Sequence, residues 1–309
     1  MTIGTSVSPY RRGDRATQTR ELCASQRLAQ SMNVLELTVL TWLGALGAGF
    51  LGSLTGLGGG VVIVPLLTLL FGMDIRYAIG ASLVSVIATS SGAAAAYVKE
   101  GYTNLRIGMF LEIATTCGAL IGATLAGYLP TAVIGIIFGT VLIFSAYFSG
   151  EPPAVRVDRG KPDRLATLLR LHGSYPGRDG MVDYHVQHVP AGFGMMVVAG
   201  ALSGLLGIGS GALKVLAMDL AMRIPFKVST TTSNFMIGVT AAASAGVYLN
   251  RGYIDPGLAM PVMLGVLPGA LLGSRFLAKA RTRLLRLVFR GVIVLLAIEM
   301  LYNSFTGRL

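Results

Sequence analysis

Lys214 is a cation set within a long apolar stretch. A lysine at the centre of a membrane helix costs about 2.5–3.5 kcal/mol on insertion scales, so it needs an acidic partner or an anionic ligand. It stands three residues beyond the cluster Gly207-Ile208-Gly209-Ser210-Gly211, and the same pattern, Gly56-Leu57-Gly58-Gly59-Gly60, occurs 151 residues earlier (207 − 56). A helix that breaks at such glycines inside a bilayer leaves amide N–H groups unpaired at the start of the next segment, where the helix dipole is positive. An anion is the natural partner, and glycine lets it approach the backbone. The candidate binding backbone is therefore Gly58, Gly59 and Gly60 in the first cluster, with Gly209, Ser210 and Gly211 in the second. Close helix packing is the structural alternative for glycines in a membrane.

Hydroxyl-bearing runs follow each cluster. Ser82, Ser85, Thr89, Ser90 and Ser91 lie after the first, and Ser229 to Ser233, Asn234 and Thr240 after the second. Hydroxyls and an amide donate to an oxyanion without the penalty of a buried charge. The pairs Ser82 with Ser233 and Thr89 with Thr240 share the offset of 151 and are, with Asn234, candidate substrate contacts. Such hydroxyls also bond to carbonyls of their own helix, which is the structural alternative. Glu112, close to Thr115, Thr116 and Cys117, is a candidate for an ion pair or a coupling proton. No span carries a catalytic carboxylate pair or a Cys-His pair, so no enzyme is expected. His185 and His188 lack a third ligand, so no metal or other cofactor is expected. The glycines are not a nucleotide loop, because no Gly-Lys-Ser/Thr follows them.

The elements that must carry these residues follow from composition. The 309 residues are 53% hydrophobic and 13% charged, with a mean hydropathy of +0.68. That is too apolar for a soluble domain, and the long Leu-, Ala-, Gly- and Ile-rich runs read as helices, not as the alternating strands of a barrel. The register of 151 continues through Tyr97 with Tyr248, Gly101-Tyr102 with Gly252-Tyr253, and Gly122 with Gly273. The chain is duplicated. Apolar runs at 61–71 and 212–222 are too short to cross a bilayer alone, and each directly follows a glycine cluster. The expected fold is an all-α polytopic membrane protein of two inverted repeats, each with a glycine-broken or re-entrant helix pair plus three spans.

Charge supplies the inversion. Arg275, Lys279, Arg281, Arg283, Arg286 and Arg290 fall between two spans of the second half, whereas 124–139 in the first half has no charged residue. Oppositely inserted halves satisfy the positive-inside rule. The formal charge of +11 is read as this topology signal and not as a nucleic-acid surface. The expected domains are a tail over 1–31, a first repeat over 32–149, a cytoplasmic linker over 150–190 and a second repeat over 191–305. The tail's arginines oppose an outside terminus, a conflict removed if the chain starts at Met32, with a targeting segment as the alternative. Within the linker a helix is expected over 163–171, turns over 173–180 and a strand over 181–189.

The Gly-Leu-Gly-Gly-Gly break, Pro65 in the half-helix, the Ser/Thr-rich span and the degenerate second copy Gly-Ile-Gly-Ser-Gly-Ala-Leu-Lys with Ser-Thr-Thr-Thr-Ser-Asn-Phe together resemble the TauE/SafE family of sulfite and organosulfonate permeases. The resemblance covers 39–302. It implies a secondary transporter in the inner (plasma) membrane, moving a small sulfur-containing anion, with the lipid bilayer as its other partner. The chain departs from the family's usual second motif at Ser210, where a glycine is usual, and at Leu216, where a proline is common. A passive anion channel, or a carrier of a small carboxylate, is the alternative function.

Overall fold

In an apolar phase only helices or a closed barrel satisfy every backbone N–H and C=O. The apolar runs of this chain all form helices. The computed structural model describes residues 34–55, 59–99, 103–148, 163–176, 180–277 and 282–307. The expectations for residues 1–31, for Gly58 and for the linker before Asp163 lie outside the described residues.

The first half comprises α1 (Val34–Thr55), the half-helix α2 (Gly60–Pro65) running on as a π-turn (Leu66–Leu70), α3 (Ile75–Lys99), α4 (Leu105–Ala126) and α5 (Thr131–Phe148). After the linker come α7 (Val189–Leu206), the half-helix α8 (Gly211–Leu216) with its π-turn (Ala217–Ala221), α9 (Phe226–Asn250), α10 (Pro256–Leu277) and α11 (Thr282–Phe305). The helices that start at Gly60, Ile75, Leu105 and Thr131 have counterparts starting at Gly211, Phe226, Pro256 and Thr282, each 151 residues on (211 − 60, and so forth). The duplication seen in sequence is thus repeated in the placement of the helices.

Each half-helix with its π-turn, Gly60–Leu70 in the first half, spans about 16 Å, roughly half of a hydrocarbon core. Both halves enter the π-turn at the same place although Pro65 is matched by Leu216, so the proline is not its cause. The turn after it needs a left-handed residue: Gly72 (φ +61°) supplies it in one half, and Arg223 (φ +54°) takes the same conformation in the other.

Among the described residues, four helices are both long and apolar enough to cross a membrane, with windows at Leu35–Gly52, Leu105–Ala126, Val189–Leu206 and Pro256–Gly273. They pair across the halves: α1 lies along α10, and α4 along α7. Glycine makes this approach possible. A Cβ on Gly200 would stand 2.1 Å from the Thr115 carbonyl oxygen, and one on Gly49 would stand 2.4 Å from that of Val266. Gly49 is offset from Gly200, and Thr115 from Val266, by the same 151 residues, so the two seams are reciprocal. The polar helices α3 and α9 face each other between them, and α5 packs on α11.

The linker holds α6 (Arg164–Leu168), N-capped by the Asp163 side chain, and an antiparallel hairpin of β1 (Gly173–Pro176) and β2 (Met181–Tyr184). The stretch expected as turns therefore begins with a strand, because Met181–Tyr184 needs a hydrogen-bonded partner. Asn104 Nδ2 donates to the Tyr184 hydroxyl at 2.7 Å, and the Gln187 amide donates to Met222 O at 3.1 Å. Leu171, Tyr184 and Val186 complete an apolar cluster with Ile107, Leu111 and Met222, seating the linker on the start of α4 and the end of the second half-helix.

Candidate functional site

The two glycine breaks meet between α3 and α9. Ser82 Oγ, on α3, donates to Gly207 O at 2.8 Å, and a Cβ on Gly60 would lie 3.0 Å from that same carbonyl. Gly209 and Gly211 abut Ile237 of α9, and Ser233 Oγ donates to Gly211 O at 3.2 Å. Three residues here are left-handed: Gly207 (φ +67°), Gly209 (φ +69°) and Ser210 (φ +42°). Such turns aim successive amides into a concavity suited to an anion. Ser210 Oγ is buried without a hydrogen-bond partner. It borders a cavity of about 20 Å³, bounded also by Val61, Ser145, Ile208 and Leu213. That volume holds one water and no more.

Lys214 leaves the half-helix on another side and is not in the wall of that cavity. It is fully buried, and its Nζ donates to Thr240 Oγ1 at 2.5 Å. Thr240 Oγ1 in turn donates to Glu112 Oε1 at 2.6 Å, with Met236 O and Thr115 Oγ1 further off at 2.9 and 3.4 Å. A hydroxyl has one proton to give, and the shortest contact goes to the carboxylate. Thr116 Oγ1 also donates to Glu112 Oε1, at 3.2 Å. Glu112 is 8% exposed, and its second oxygen, Oε2, is buried without a partner. Lysine, threonine and glutamate thus form a chain from α8 through α9 to α4, joining the halves.

The duplication does not extend to this cluster. Subtracting or adding 151 turns Lys214 into Ile63, Thr240 into Thr89, Glu112 into Met263 and Thr115 into Val266. One of two related positions is charged and the other is apolar. Thr89 accordingly gives its hydroxyl to Ser85 O at 3.0 Å, within its own helix. Asn234 lies half-buried on α9 and outside the cluster. Gly59 and Gly60 sit at the entry of the first half-helix.

The pairing of Glu112 with Lys214 through Thr240 was not apparent in the sequence, where 102 residues (214 − 112) separate the two charges. A signal existed nonetheless. Each is an isolated ionisable residue well inside an apolar helix, and opposite charges so placed tend to find each other.

No solved structure matches the chain. Among curated proteins, the Probable membrane transporter protein YunE of Bacillus subtilis is 28% identical over 282 residues, spanning 87% of this chain and 99% of that protein. The Probable membrane transporter protein YdhB of the same organism is 26% identical, spanning 77% and 84%. A Probable membrane transporter protein of Methanocaldococcus jannaschii, MJ0441, is 23% identical, spanning 82% and 91%. The model of the family described as Sulfite exporter TauE/SafE matches residues 41–300, which takes in both breaks and every member of the buried cluster. The chain therefore belongs to the TauE/SafE family and is a multi-pass transporter of the plasma membrane, not an enzyme.

Proposed function

We propose that this transporter is a secondary permease for a small anion of the class of sulfite, a sulfonate or a related sulfur oxyanion, and that Lys214 is the cation that meets it. One observation carries the reading: a fully buried lysine stands just inside a half-helix whose entry is left-handed and glycine-lined. The family's description as sulfite exporters supports the substrate class. The half-helix entries at Gly59 and Gly60 and at Gly209 to Gly211 supply backbone amides, and Ser210, Ser82, Ser233, Asn234 and Thr240 supply side-chain donors as the site opens.

The repeats are inverted, which the charge contrast between 124–139 and the arginine-rich stretch after Arg275 supports. The cavity beside Ser210 has room for one water, which is too little for a sulfonate. Transport then requires one repeat to rock against the other and open the meeting point of the two breaks to each side in turn.

Uptake of labelled sulfite and methanesulfonate into proteoliposomes tests this. The native protein accumulates the anion against its gradient when a proton gradient is imposed, which a passive channel does not do. Lys214→Ala and Gly209→Val each abolish uptake. Unchanged uptake in both variants misplaces the site.

A further inference from the structure

We infer that Glu112 takes up one proton when an anion enters at Lys214, making anion binding and proton binding a single linked event. This rests on the reading of Lys214 as the anion's counter-charge and adds to it the residue that receives the coupled proton. As described, the buried cluster is one lysine and one glutamate joined by Thr240, with no net charge. A monoanion arriving at Lys214 leaves the cluster with an unmatched negative charge in a medium that does not solvate it.

Something must neutralise it, and the surroundings offer few groups. Of the helices packed around Glu112, α7 carries no acid or base, and α9 has no Asp, Glu, Lys, Arg or His between Lys227 and Arg251. On α4 itself the nearest ionised residue, Arg106, lies near the start of the helix. Among the described residues, Lys214 is the charged group joined to Glu112, through the Thr240 hydroxyl. The related position in the other half, with Ile63 and Met263, brings none. A proton from water on Glu112 therefore restores neutrality, and the carboxyl has a place for it: Oε1 is held by Thr240 and Thr116, whereas Oε2 has no partner. The proton adds to that oxygen, and nothing is oxidised or reduced.

The same geometry explains why a hydroxyl stands between the charges. Thr240 can turn its single proton from Glu112 toward Met236 O, an acceptor 2.9 Å away, once the carboxyl is neutral. Lys214 has three N–H groups, so it can keep one on the Thr240 oxygen and present the others to the anion.

The test is titration calorimetry of the full-length protein in detergent with methanesulfonate and 2-hydroxyethanesulfonate, which stay fully ionised over the pH range used. Measuring in two buffers of different ionisation enthalpy counts the protons. Uptake of about one proton per anion is expected, with affinity falling about tenfold for each unit rise in pH where Glu112 is ionised in the free protein. Glu112→Gln binds without proton uptake and with pH-independent affinity. Binding by the native protein that needs Lys214 but takes up no proton overturns the linkage and leaves the anion site standing. Absence of binding by the native protein, or undiminished binding by Lys214→Ala, overturns both. Should Glu112→Gln fail to fold, the two-buffer proton count on the native protein decides alone.

Discussion

Gly200 and Thr115 touch backbone to backbone: a Cβ added to Gly200 would lie 2.1 Å from the Thr115 carbonyl oxygen and 2.7 Å from its Cα. Neither helix can yield locally, because Gly204 and Gly122 repeat the contact one turn further on, against Ala119 and Ala201. Gly200→Val is therefore expected to cost about 1–3 kcal/mol or more by forcing α4 and α7 apart. Gly194, on the same helix, has nothing within 4 Å of its missing Cβ, and Gly194→Ala is expected to be neutral or to stabilise the helix by up to about 1 kcal/mol. Thermal unfolding in detergent separates the two. Equal midpoints for both variants would show that the seam does not set the helix spacing.

The buried charges give a second prediction. Removing one member leaves the other unpaired, so Lys214→Met and Glu112→Gln are each expected to destabilise the fold by about 3–5 kcal/mol. The double variant leaves no uncompensated charge and is expected to lose far less than the sum. A double-mutant cycle on denaturation midpoints measures this. Additive losses would mean that Thr240 does not couple the two.

The sequence disclosed much of this framework because repetition is visible in one dimension. A fixed offset of 151 aligned Gly56 with Gly207 and Ser82 with Ser233, and the same offset relates the helix starts. The short runs after the glycines appeared as half-helices because their length falls well below a membrane crossing. Pairing between helices was hidden, since it depends on which face of α4 meets α9. Glu112 and Thr240 therefore looked like separate candidates, and Thr89 looked like the equal of Thr240. An apolar partner surface reads the same as lipid in a hydropathy profile, so nothing marked Ile63 and Met263 as the apolar counterpart of the charged cluster. The strand at Gly173–Pro176 was masked by its glycine and proline, which signal turns unless a partner strand is known.

Ser82 and Thr89 are both hydroxyls on α3, yet they are expected to respond differently to truncation. Ser82 Oγ donates to Gly207 O, the last carbonyl before the second break, across 125 residues of chain. Ser82→Ala leaves that buried carbonyl without its partner and is expected to cost about 1–3 kcal/mol. Thr89 bonds only to Ser85 O and Val86 O of its own helix, which already have helical partners. Thr89→Ala is expected to change stability by less than about 0.5 kcal/mol. Matched unfolding curves for the two variants would mean that the Ser82 bond does not hold the breaks together.

The linker has a pH dependence of its own. The Val186 amide donates to His172 Nδ1 at 3.3 Å, and Thr167 Oγ1 lies 3.2 Å from His172 Nε2. Nδ1 accepts only when it carries no proton, so the neutral ring is the one that fits. Burial, and then the neighbouring His185 ring with its centroid 5.2 Å away, lower the pKa of His172 from the ordinary value near 6.5. A histidine whose folded pKa is depressed binds fewer protons folded than unfolded below pH about 6.5. Its contribution is thus complete above that pH and is lost as pH falls from there through the lowered folded value. Hydrogen exchange at the Val186 amide reads the effect directly. Protection is expected to be full at pH 7.5 and to fall toward pH 5, after correction for the intrinsic exchange rate. In His172→Ala, protection is expected to be low at both pH values, because the acceptor is gone. Protection that stays full at pH 5 in the native protein would show that the Nδ1 bond does not hold this end of the hairpin.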